Sequence, residues 1–137
     1  MSSPATIFPF DAADAAGRLA DHFNDLSNQA DTLAISQADT ATPDQVANLK
    51  TQAQALEDLS HHFTADAIGE TLRQIQGDLD NITSVTQQAK DQLGTLNDVS
   101  KAISILASAV SLGTAIASGN PGGILSAADS LAQTVTS

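Results

Sequence analysis

Apolar residues recur along most of the chain at alternating intervals of three and four, which places them on one narrow ridge of a helix. Such a heptad seam is buried when it packs against the seam of another helix. The pattern predicts an all-α protein, a helical bundle or antiparallel coiled coil of four to five helices. We expect the seam to contain Leu19, Phe23, Leu26, Leu33, Leu49, Leu56, Phe63, Leu72, Ile75, Leu79, Ile82, Leu93, Leu96, Ile103 and Val110.

Capping signals predict where the first helices begin. Asp11 is a suitable N-cap for a first helix over residues 11–38. Thr42 and Gln45 have the spacing of a capping box, and Pro43 between them suits the first helical position, so a second helix begins there. At Thr64 the sequence allows either a new helix or continuation of the second, and both alternatives stay open.

The seam then continues from residue 68 to residue 110 without a change of phase, and no proline interrupts residues 64–120. One helix over 64–119 would be about 80 Å long; two shorter helices are the alternative. Glycine costs about 1 kcal/mol relative to alanine inside a helix, so glycines mark the places where such a helix would bend or break. These are Gly69, Gly77, Gly94 and Gly113.

Charge divides the chain into two unequal parts. The sequence has 16 acidic and 5 basic residues, a net charge of -11, yet residues 102–137 contain a single charge, Asp129. We therefore expect an N-terminal cap at 1–10, acidic heptad-patterned helices at 11–101 and an apolar helical hairpin at 102–137, which turns at the Asn-Pro-Gly-Gly of 120–123. Because this net charge repels phosphate, we expect no nucleic-acid partner.

Few residues are candidates for catalysis or metal binding. The chain has no cysteine and three histidines. Asp58 and His61 are three residues apart, which imitates half of the carboxylate–histidine pairing of metal-binding bundles, and His22 with Asp25 is the one other such pair. A metal-binding bundle is one interpretation, but a solvated helix face explains the same residues. We expect no catalytic residue, no metal and no cofactor, and a protein that is not an enzyme.

The apolar end is open to three interpretations. Residues 102–119 are uncharged, and small side chains recur there every four residues, a pattern found between membrane helices and in tight soluble bundles. The hairpin could be the buried part of a bundle. It could be stored for insertion into a membrane, a plan similar to that of several helical pore-forming toxins, although no motif places the chain among them. It could also pack against other copies, as in secreted filament or needle proteins.

From these patterns we expect a non-enzymatic protein that acts by helix-mediated association, as a homo-oligomer or with a dedicated protein partner. The alternatives are a membrane-active, pore-forming component that inserts residues 102–135, and the metal-binding bundle. Residues 1–10 lack a basic region followed by an apolar run, so we expect a cytoplasmic protein or one exported without a leader. The expected association or insertion residues are Ile103, Ile105, Leu106, Ala107, Val110, Ser111, Leu112, Ala115, Ile116, Gly119, Ile124, Leu125 and Leu131.

Overall fold

A computed structural model describes residues 11–95 and 98–136, and all regular structure within them is helical. The all-α prediction is confirmed, but the described residues form six α-helices rather than four to five. The predicted N-terminal cap at 1–10 and the seam residue Leu96 lie outside the described residues. The helices are α1 (Ala12–Ser36), α2 (Pro43–His62), α3 (Ala65–Gln74), α4 (Leu79–Thr95), α5 (Val99–Ser118) and α6 (Pro121–Thr136), with a 3₁₀ turn at Gln76–Asp78.

The first two helices begin where the capping signals predict. The Asp11 carboxylate accepts a hydrogen bond from the amide of Asp14 at 3.0 Å. Thr42 accepts from the amide of Gln45 at 3.1 Å, and the Gln45 side chain accepts from the amide of Thr42 at 3.0 Å, which completes the capping box. Helix α1 ends at Ser36, two residues before the predicted end at residue 38.

The long helix over 64–119 is not present, either as one rod or as two pieces, because the chain forms three helices there. The hydroxyl of Thr64 caps α3 through the amide of Ala67 at 3.2 Å, so the helix restarts at this residue. A second break is the 3₁₀ turn that contains Gly77. A third precedes α5, where Asp98 has extended backbone angles and its carboxylate accepts from two amides in the first turn of the helix.

The new start at Asp98 changes the phase of the seam. Most predicted seam residues in α1 to α4 are buried, with Leu79 half-buried. In α5, Ile103 and Val110 pack against the core but are only half-buried, so they lie at the edge of the buried side of this helix. The residues of α5 that are buried instead are Ala102, Ile105, Leu106, Ala109, Leu112, Gly113 and Ile116.

The six helices pack into a bundle around one apolar core. Helix α1 contacts α2, α3 and α4, while α5 lies against α6 and α2, and α4 also contacts α6. The core consists mainly of Ala, Leu, Ile and Val, because only 3% of the residues are aromatic. Its main aromatic contact is between Phe23 of α1 and Phe63 after α2, whose rings meet edge to face at 5.0 Å.

Candidate association surface on the α5–α6 hairpin

Helices α5 and α6 form a hairpin closed by a tight turn. Gly119 adopts the left-handed conformation with φ of 76°, and its amide donates to the carbonyl of Ala115 at 3.2 Å, a common way to end a helix. The side chain of Asn120 then accepts from the amide of Gly123 at 3.1 Å and so caps α6. Further along, the hydroxyls of Ser108 and Thr134 lie 3.1 Å apart across the two helices.

The inner face of the hairpin belongs to the bundle core. Six residues expected from sequence to mediate association or insertion are buried there and pack against the other helices. At Gly113 the hairpin lies close to α1 and α2, because a Cβ at this position would lie 2.6 Å from Cε2 of Phe23 and 2.7 Å from Cδ1 of Leu59. The six buried residues are Ile105, Leu106, Leu112, Ile116, Ile124 and Leu131.

The outer face of the hairpin is exposed, and its side chains are small and mostly uncharged. Four of the expected residues lie on it: Ala107, Ser111, Gly119 and Leu125, the last 39% exposed. The remaining three, Ile103, Val110 and Ala115, are half-buried. We call this surface the hairpin face and define it by the exposed residues Ser104, Ala107, Ser111, Thr114, Ser118, Gly119, Leu125, Ser126, Asp129, Ser130 and Gln133.

Several members of the hairpin face are absent from the sequence-based set, which favoured large apolar residues. A signal was available in α5, since hydroxyl side chains recur there at helical spacing, at Ser104, Ser108, Ser111, Thr114 and Ser118. They alternate with the Ile and Leu positions, so the helix has two distinct faces although neither is charged.

Helix α5 also has the length and composition of a membrane span. Among the described helices it alone combines enough residues, 20, with a high mean hydropathy, 1.6 over its best 18-residue window. Only 39% of that window is buried in the bundle, because the serine-rich side faces outward.

The histidine–carboxylate pairs singled out from sequence lie apart from the hairpin. His22 and Asp25 face α4, where His22 Nδ1 is 3.2 Å from the hydroxyl of Thr86 and Asp25 pairs with Lys90 at 2.9 Å. Asp58 and His61 lie on the exposed side of α2, and Asp58 accepts from Gln54 at 3.0 Å. Within residues 11–95 and 98–136, no three His, Asp or Glu side chains are grouped to hold a metal ion.

Comparison with known proteins finds no family model, no curated protein and no solved structure that matches this chain.

Proposed function

We propose that this protein works by self-association, and that two copies meet through the hairpin face. The observation that carries the proposal is the distribution of charge. Each copy has a net charge of -11, and almost all of that charge lies on α1 to α4 and at their ends. Copies that approach through those helices bring carboxylates together, whereas contact through the hairpin face brings together surfaces that each contain one charge, Asp129.

The side chains of the hairpin face suit helix–helix contact. Alanine and serine lose little conformational entropy when they are buried, and their small size lets two helices approach closely. Leu125 adds a larger apolar side chain that is already 39% exposed. The association therefore needs no rearrangement of the bundle.

The size of the hairpin face fits a dimer of modest strength. At about 1.5 Å per residue α5 is roughly 30 Å long, and two neighbouring helices cover a width of about 20 Å. That gives about 600 Å² per copy, or about 1,200 Å² in total, at the lower limit of specific stable interfaces. Interfaces at this lower limit are typical of weak, transient complexes, and for this one we expect a dissociation constant of roughly micromolar order.

Sedimentation equilibrium of the full chain tests this proposal with a matched pair of variants. Ser111→Glu places a charge in the hairpin face, while Ser84→Glu places the same charge on an exposed position of α4. We expect dimers for the wild type and for Ser84→Glu, and at least about tenfold weaker association for Ser111→Glu, because like charges are brought together at the interface. A wild type that stays monomeric at about 100 μM, or equal effects of the two variants, would refute the proposal.

Membrane insertion of the hairpin is the second candidate, favoured by the length and mean hydropathy of α5. Insertion requires the buried side chains of α5 to leave the core, so it needs a trigger. The test is release of dye trapped in zwitterionic and anionic liposomes, at neutral and acidic pH. If the hairpin inserts, the wild type should release the dye and Ser111→Glu should release less, since a charge at the centre of a membrane span costs about 3 kcal/mol. If the protein only self-associates, no liposome should release dye.

We also propose that, within the bundle, α1 and α2 pack as an antiparallel coiled-coil pair. These helices make the most extensive helix–helix contact in the bundle, and the short connection between them makes them antiparallel neighbours. Seam residues of both helices, including Leu26 of α1 and Leu49 of α2, are fully buried in the apolar core.

A further inference from the structure

One acidic residue interrupts the otherwise uncharged hairpin face. Asp129 is the single charged residue of this surface and also the single charge of residues 102–137. It lies in the middle of α6, with Leu125 one turn before it and Gln133 one turn after it, and all three side chains are exposed. A contact between copies that uses the middle of α6 therefore includes the carboxylate of Asp129.

Within a single copy, the contacts of Asp129 give it no structural task. The ion pairs of the described residues lie on α1 and between α1 and α4, and neither includes Asp129. Its carboxylate also has no hydrogen-bond partner among those residues. Because it lies in the interior of a 16-residue helix, the helix dipole does not stabilise its charge, and aspartate is a poorer helix former than alanine there. The effect of this residue is therefore to be sought where copies meet.

Contact between two copies would remove water from Asp129. Side chains one turn apart on a helix are about 6 Å apart, so an interface that covers Leu125 also covers Asp129. A carboxylate that loses water is destabilised unless it gains an opposite charge and hydrogen bonds. The hairpin face contains hydroxyl groups but no cation, and a symmetric dimer brings the same carboxylate from both copies. Asp129 therefore opposes the association that Leu125 favours.

We infer that Asp129 limits self-association and keeps the contact through the hairpin face weak and reversible. The inference rests on the proposed self-association and identifies the residue of that surface that sets its strength. Without this carboxylate, the same surface presents Leu125 among alanine, serine, threonine and glutamine side chains and associates more tightly. The other acidic residues lie outside the hairpin face, so they contribute only to the general repulsion between copies.

The position of the charge determines the size of the effect. Like charges brought together in an interface weaken it strongly, and in a symmetric dimer each substitution is present in both copies. At physiological salt, charges more than about 8 Å apart are largely screened, so a carboxylate far from the interface has little influence. Removing Asp129 should therefore strengthen association far more than removing an acidic residue elsewhere.

Sedimentation equilibrium of the full chain measures this difference, with detection of the peptide bond because the sequence has no Trp or Tyr. Asp129→Asn removes the charge with little change of shape, and we expect its dissociation constant to be at least about tenfold lower than that of the wild type. The control is Asp31→Asn, which makes the same change in net charge at an exposed position of α1 and should stay within about twofold of the wild type. Asp129→Glu keeps the charge and should stay within about threefold of the wild type.

Each result has a distinct meaning. If the wild type dimerises and Asp129→Asn associates equally or more weakly, the inference is overturned, because the carboxylate then meets a favourable partner in the other copy. Equal tightening in Asp129→Asn and Asp31→Asn also overturns it, since net charge alone would then explain the effect. Both results leave the proposed self-association standing. A monomeric wild type with a dimeric Asp129→Asn refutes self-association of the natural chain but supports the limiting effect of Asp129, whereas monomers of every variant overturn both.

Discussion

Gly113 is the position where a single methyl group should most clearly disturb the contact between the hairpin and the rest of the bundle. In Gly113→Ala the new Cβ would lie 2.6 Å from the ring of Phe23 and 2.7 Å from Cδ1 of Leu59, distances at which atoms must move. Leu59 is half-buried and its end can shift. The ring of Phe23 is fully buried and held edge to face by Phe63, so it has little freedom.

Two opposing effects determine how much Gly113→Ala changes the free energy of unfolding. Overpacking of a well-packed core costs about 1–3 kcal/mol, and the rigid ring places Gly113→Ala near the upper end. Replacing glycine by alanine inside a helix returns about 1 kcal/mol. We expect a net loss of about 2 kcal/mol in the free energy of unfolding.

Gly17→Ala is the matched control, because Gly17 is exposed within α1 and an added Cβ there meets nothing within 4 Å. Only the helical preference remains, so this variant should gain about 1 kcal/mol. With a urea dependence of about 2 kcal/mol per molar, the unfolding midpoint should fall by about 1 M for Gly113→Ala and rise by about 0.5 M for Gly17→Ala.

A double-mutant cycle identifies the contact responsible. If the clash is with the Phe23 ring, Phe23→Leu should cost less in the Gly113→Ala background than in the wild type, because the smaller side chain makes room for the methyl group. A rise in the urea midpoint of Gly113→Ala, comparable to that of Gly17→Ala, would refute the reasoning.

Two further predictions concern the ends of helices. Thr42→Ala removes the hydroxyl that accepts from the amide of Gln45, and should lower the melting temperature by about 3 °C for a loss of about 1 kcal/mol, whereas Thr42→Ser should retain most of the stability. Gly119→Ala forces a side chain into a left-handed conformation with φ of 76° and should cost about 1–2 kcal/mol in urea unfolding. Gly122→Ala, within the first turn of α6 and with only ordinary contact for an added Cβ, should lose nothing and gain at most about 1 kcal/mol; equal losses in the two variants would contradict the argument.

Helix starts could be predicted from sequence because their signals are local. The carboxylate of Asp11 and the hydroxyl of Thr42 bond to amides three residues away, so the interacting groups lie within one short stretch of sequence. The hydroxyl of Thr64 also bonds to an amide three residues away. Because the apolar spacing is the same before and after Thr64, however, the sequence did not show whether the helix breaks there. A break that keeps the apolar spacing cannot be seen from spacing alone.

The four interior glycines illustrate what sequence could not decide. Gly77 lies in the 3₁₀ turn and Gly94 is one residue from the end of α4, so both lie at breaks. Gly69 and Gly113 lie inside helices, where a Cβ would meet Ala12 at 3.3 Å or Phe23 at 2.6 Å. Their neighbours come from distant parts of the chain, so the difference between a break and a close contact depends on tertiary structure.

Helix α5 explains why the association residues were predicted only in part. One side of this helix consists mainly of Ile and Leu and the other mainly of Ser and Ala. Because neither side is charged, the mean hydropathy of the helix is high and does not show that the two sides differ. The side with Ile105 and Leu112 is already used in the core, and what remains available is the side with Ala107 and Ser111. An interface built on that side gains little from hydrophobic burial, so it must depend on close packing and on the absence of repulsion. A single added charge such as Ser111→Glu is therefore a more discriminating test of association than removal of a large apolar side chain, which would unfold the core first.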